Sequence, residues 1–161
     1  MTIDWATAVW FIPFVLPITI WVAWSDMASM KIPNKAVLAL LIVFLVIGLI
    51  ALPFTEYLWR WTHFGVVLVI GFVLSSLGMV GAGDAKFAAA MAPFIALADA
   101  ASFMFLLAAT ILSAFVIHRL ARASGLRHRF SEWESWTHRG FPMGMALAPA
   151  LLFYLLLGLM A

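Results

Sequence analysis

Residues 5–24, 36–54, 64–80, 100–117 and 141–161 contain no Asp, Glu, Lys or Arg. About 20 apolar residues make a helix long enough to cross the hydrocarbon of a bilayer. Backbone polar groups in lipid must be satisfied within the segment, so runs of this kind cross as helices. Only 10% of the chain is charged and 66% is hydrophobic, against about 25% charged in a soluble domain. These features predict an all-α, polytopic membrane protein.

A sixth run, 87–98, is short and contains Pro93. Begun near Gly83, it would reach about 24 Å, enough to cross where the bilayer thins locally. The expectation is therefore six spans in one integral-membrane domain, 1–161. Asp4 stands where a cleavable leader would carry Lys or Arg, and the apolar stretch after it is too long for a leader core. The first run is expected to remain as a span.

Six spans leave five connections. The odd-numbered ones, 25–35, 81–86 and 118–140, hold eight of the nine Lys and Arg residues. Only Arg60 falls in an even-numbered connection. The positive-inside rule then puts the odd connections in the cytoplasm and both termini in the periplasm. Merging 87–117 into one helix would send the arginine-rich connection 118–140 outward, so charge favours six. The net charge of +2 points to no nucleic-acid partner.

The same arithmetic brings together Asp26 and Asp84, remote in sequence, at the cytoplasmic ends of two spans. Asp4 and Asp99 fall on the outer side and read as solvated ends. Either inner carboxylate alone reads as an interfacial anchor beside lysines, because charge at a helix end is cheap. Two that converge share a proton. One then acts as a base on water while the other hydrogen-bonds a substrate carbonyl. An ion-coupled transporter or an assembly scaffold is the alternative, although a transporter calls for ionisable groups at mid-membrane.

Gly81 and Gly83, flanking Ala82 ahead of Asp84, permit a tight turn. They also remove side-chain bulk where an extended substrate could approach. The chain has no cysteine, which excludes disulfides, thiolate metal sites and a cysteine nucleophile. It contains no HExxH, Ser-His-Asp arrangement, phosphate loop or complete dinucleotide fingerprint. No cofactor and no metal are expected.

"GAGDAK" (81–86), "SDMASMKIPN" (25–34) and "FPMGMALAP" (141–149) together resemble the type IV prepilin peptidases, the GxGD membrane aspartic proteases. The resemblance covers most of the chain. It implies Asp26 and Asp84 as the catalytic pair. Gly81, Gly83, Lys86, Pro33, Asn34, Pro142 and Gly144 match the motif positions and are implied to bind substrate, with Met143 where a Tyr is common. It implies an inner-membrane peptidase that cuts a short basic prepilin leader just before the pilin's hydrophobic helix. The implied partners are the prepilin, the bilayer and pilus secretion machinery. Long members of the family carry an N-terminal extension with CxxC pairs and also N-methylate the product. This chain is similar to the short type serving Tad (Flp) pili, and methyl transfer is not expected of it.

Several structural roles are expected whatever the function. Pro33 holds Ile32 extended, and Asn34 is expected to cap the second span. Phe130, Trp133 and Trp136 in 118–140 are spaced for one helical face. That connection is expected to be an amphipathic helix on anionic lipid, or else a flap presenting Glu132 or Glu134 to a basic leader. His63, His118, His128 and His138 are expected at the surface.

Overall fold

The chain begins its first helix where Asp4 accepts a hydrogen bond from the Thr7 N–H at 3.1 Å. The computed structural model describes residues 3–138 and 140–160. Arg139, one of the basic residues counted above, lies outside the described residues. The first helix, α1, runs Trp5–Ser29 and stops at Met30, whose φ of 52° is left-handed. Pro33 and Pro53 then precede α2 (Asn34–Ala51) and α3 (Phe54–Ser76). Their fixed φ suits a helix start and cannot extend the helix before it. Gly78, with a φ of 71°, turns the chain after α3.

After α4 (Ala82–Met91) come 3-10 turns at Ala92–Phe94 and Leu97–Asp99, then α5 (Ala100–Ala123), the single turn α6 (Leu126–Arg129) and α7 (Gly144–Gly158). Among the described residues there is no strand. Helices α1, α2, α3 and the stretch Leu97–Ala123 are each long and apolar enough to cross a membrane, and α7 is a shorter apolar helix. The chain is a multi-pass membrane protein. Helix α3 begins well before residue 64, so the expected second connection is helical rather than looped.

α7 is the hub of the bundle. Ala146, Ala148, Ala150, Leu151, Tyr154 and Leu155 have no exposed surface, and the helix packs on α1, α5 and α4. It runs antiparallel to α1: Gly144 lies against Asp26, and Gly158 against Ala8 and Ile3. Phe11, Phe44 and Phe94 meet edge to face at centroid distances of 4.9 and 5.2 Å, joining α1 and α2 to the turn after α4.

The fourth apolar run is not one helix. It breaks at Pro93, which cannot continue the hydrogen-bond ladder. Even so, residues 82–99 traverse the bundle from end to end. Gly83 packs on Ile32 near Asp26. At the far end Asp99 accepts from the Ile3 N–H at 3.2 Å.

The backbone groups freed by the break find partners on other helices. Arg60 donates to the carbonyls of Phe94 at 3.0 Å and Pro93 at 3.5 Å. It also pairs with Glu56 at 2.6 Å. His63 Nδ1 lies 3.1 Å from the Ile95 carbonyl, which can only accept, so that nitrogen carries the proton. The Ala96 N–H donates to Tyr154 Oη at 3.2 Å, and Tyr154 donates to Asp99 at 2.9 Å.

Asp99 is therefore not a solvated end: it is 2% exposed. Asp4 is exposed, as expected. Replacing Tyr154 by Phe leaves the Ala96 N–H without its acceptor. Tyr154→Phe should lose about 1–3 kcal/mol of stability, read as a lower melting midpoint of the detergent-solubilised protein.

Candidate active site

Asp26 sits in the last turn of α1, 4% exposed. Its Oδ2 accepts from the Gly144 N–H at 2.6 Å, with a second backbone contribution from Met145. These N–H groups belong to the first turn of α7, where a helix has no internal acceptor for them and carries partial positive charge. Burial of this carboxylate is offset by the N-terminus of α7. Gly144 permits the approach: a Cβ there would stand 3.0 Å from the Asp26 carboxylate.

Asp84 lies in the first turn of α4 and is half-buried. It accepts from the backbone N–H of Gly81, and Asp26 is near enough for the two charges to interact. Gly81 is required by contact. Its Cβ would fall 2.6 Å from Asp84 Oδ2. Each carboxylate is thus backed by a glycine whose N–H it accepts.

Both aspartates open onto one cleft of about 660 Å³. Of the residues singled out by sequence, Gly81, Gly83, Lys86 and Asn34 also line it. Lys86 Nζ reaches Asn34 Oδ1 at 3.4 Å across the mouth. Asn34 is not the cap of α2; Pro33 occupies that position, and no side chain caps the helix. Pro33, Pro142 and Gly144 do not line the cleft. Pro33 starts α2, while Pro142 is buried just ahead of Gly144.

The cleft has further walls: Ile32 and Met143, which sequence reasoning had placed at family-motif positions, Lys31 and His138, which it read as interfacial or surface residues, and Met30, Gly78, Gly140 and Phe141, which it missed. Two of them, His138 and Gly140, come from the end of the 118–140 connection, and that connection is not an amphipathic helix. Its first residues, 118–123, continue α5, and beyond them the described residues hold only the single turn α6 and a 3-10 turn at Glu134–Trp136. Its aromatics are stapled to the bundle instead. Trp24 of α1 meets Phe130 and Trp133 edge to face at 6.1 and 5.0 Å. Trp136 is 2% exposed, stacks on His118 at 5.3 Å and donates to the Phe130 carbonyl at 2.7 Å.

His118 is correspondingly buried, not a surface residue. Glu132 and Glu134 are exposed and do not reach the cleft. Phe130, Trp133 and Trp136, expected on one face of a helix, instead stack on one another in a loop at 4.5 and 5.7 Å. Among the described residues, no three His, Asp or Glu side chains are grouped to hold a metal ion.

A model of the type IV leader peptidase family matches residues 13–118, well over half of the chain. The chain belongs to that family. The matched span takes in Asp26, the Ile32-Pro33-Asn34 turn and the Gly81–Lys86 segment. No curated protein and no solved structure matches it. A leader peptidase acts on prepilins, so prepilin processing is the activity to assay for this chain.

Gly81→Ala should displace the Asp84 carboxylate while leaving the bundle intact, because the clash falls on the end of one side chain. A shift of about 1 Å at a reacting group costs about a hundredfold in rate. The expected outcome is a drop of that order in leader cleavage with the melting midpoint little changed.

Proposed function

We propose that this leader peptidase is an aspartic endopeptidase in which Asp26 and Asp84 together activate water. The observation that carries the reading is the pair itself: two carboxylates from separate helices, each backed by a glycine, opening onto one cleft. Two carboxylates in one site hold a single proton between them most readily. The ionised one takes a proton from water as the oxygen attacks the scissile carbonyl carbon. The protonated one donates a hydrogen bond to the carbonyl oxygen. The tetrahedral intermediate then collapses, the C–N bond breaks and the leaving amine takes up a proton. The two aspartates share these roles. Lys86, Asn34, Gly81 and Gly83 line the path of the extended leader, while Pro33, Pro142 and Gly144 hold the carboxylates and their helices in place.

The reading extends to topology. Counting residues 82–99 as a crossing makes six, in a single domain spanning 1–161. The basic connections then share the side of the cleft, which the positive-inside rule assigns to the cytoplasm, and both termini are periplasmic. The membrane is the bacterial inner membrane, and the substrate is a Tad/Flp-type prepilin with a short basic leader. Asp26 and Asp84 at one end of the bundle, not at mid-depth, favour hydrolysis over ion transport.

Asp26→Asn and Asp84→Asn should each abolish leader cleavage of a co-expressed Flp-type prepilin, while both proteins remain folded in the membrane. Full processing by either variant sinks the assignment. The shared proton makes the pH profile of kcat/KM bell-shaped; a profile flat across the acidic range would count against a carboxylate pair. Sidedness is tested with Ser131→Cys in this cysteine-free chain. A membrane-impermeant maleimide should label it in inverted vesicles and not in intact spheroplasts.

A further inference from the structure

Helices α1 and α5 both pack on α7 and leave a groove of about 410 Å³ between them. Ala23 of α1, Ser113 and Ile117 of α5, and Met145, Pro149 and Phe153 of α7 are among its walls. One end of it lies beside Asp26. Ala23 is one turn from Asp26 on the same face of α1, and Met145 follows the glycine whose N–H holds Asp26. From Met145 to Phe153 the groove descends about 12 Å, or roughly two helical turns.

The walls are almost wholly apolar and carry no charged side chain. The Thr110 hydroxyl in the groove is already bonded to the Leu107 carbonyl at 2.8 Å. A basic, polar leader gains nothing here. A chain passing from the cleft into this groove reaches membrane depth, where its backbone groups must bond to one another, so it enters as a helix. Its outward side chains must be apolar to match the walls.

We propose that this groove seats the apolar helix that follows the scissile bond of the substrate, so that recognition includes an intramembrane helix–helix contact next to Asp26. The inference rests on the peptidase reading and adds to it the subsite for the membrane-embedded part of the substrate. The end of the groove at Asp26, formed by Ala23 and Met145, selects this occupant. A lipid chain or a second copy of the protein could cover the groove, but neither has a reason to begin at Asp26.

The chain has no cysteine, so single cysteines report contacts cleanly. Ser113→Cys is placed in the full chain with Asp84→Asn, to retain the substrate, and co-expressed in membranes with a prepilin carrying one cysteine scanned along its apolar helix. Oxidation should cross-link the two at substrate positions recurring every three to four residues. Phe72→Cys on α3, a position 71% exposed, should give no such pattern. Equal cross-linking at both sites, none at Ser113, or a cross-linked homodimer that persists without substrate overturns the proposal.

A second measurement fills the groove. Ser113→Trp should lower kcat/KM about tenfold on full-length prepilin and leave unchanged the cleavage of a short peptide ending soon after the scissile bond. An unchanged rate on the full-length substrate, or equal losses on both, removes the groove while the peptidase reading stands. If the parent chain cleaves neither substrate, the peptidase reading fails and takes this inference with it.

Discussion

A helix broken inside a bilayer must find partners for the backbone groups it releases, because no water is there to take them. In the proposed six-crossing topology, the arrangement of this protein depends on how that demand is met around Pro93. Arg60 takes the carbonyls of residues 93 and 94, His63 that of residue 95, and Tyr154 the N–H of residue 96. Each unsatisfied group at membrane depth would cost several kcal/mol, so the partners are as necessary as the break. With them in place, Phe94 can turn into the aromatic cluster between α1 and α2. The segment that starts beside Asp26 then finishes against Ile3. Asp84 stands at the level of Asp26 because residues 82–99 are held along their length by α3 and α7.

The two carboxylates are held by the same device in different settings. Asp26 is almost fully buried and leans on the N-terminus of α7, where aligned peptide dipoles favour negative charge. Asp84 is more open and leans on Gly81, just ahead of α4. In both cases a glycine gives up its side chain to let the carboxylate reach a backbone N–H. A side chain at Gly81 would displace the Asp84 oxygen, and one at Gly144 would press on the Cβ as well as the carboxylate of Asp26, which makes both glycines part of the geometry of the acids. In the proposed reaction, unequal exposure gives the pair one member close to arriving water and one sheltered by protein.

The long uncharged runs made α1, α2, α5 and α7 legible, since composition alone dictates a helix in lipid. Parity of connections and the GAGD turn were enough to bring Asp26 and Asp84 to one end. What stayed hidden depends on contacts between distant residues. Arg60 read as a lone basic residue in an outer loop, whereas it lies within α3 and its partners are carbonyls more than thirty residues away. Asp99 read as solvated because nothing local shows that Tyr154 and the N-terminus converge on it. The run around Pro93 was expected to cross as one short helix, and the break there, with the distant partners that stabilise it, was not foreseen. The aromatic spacing in 130–136 suggested a helical face on lipid, but the rings stack on one another and on α1 and hold a loop.

Hydrolysis within a membrane protein sets two opposed conditions: water must reach the scissile bond, and an apolar substrate must remain in lipid. A site at the end of the bundle meets both, with a polar cleft on one side of Asp26 and an apolar groove on the other. The cleft offers Lys86, Asn34 and backbone groups to an extended segment; the groove offers methyl groups and an aromatic ring to a helical one. A substrate that is polar before the bond and apolar after it would place its change of character at the dyad. The bond nearest that boundary is also the one that must leave helical geometry to enter the cleft. Selection of the cleavage point can then rest on where the substrate's own helix stops being worth burying, a property that a wide range of leader sequences can share.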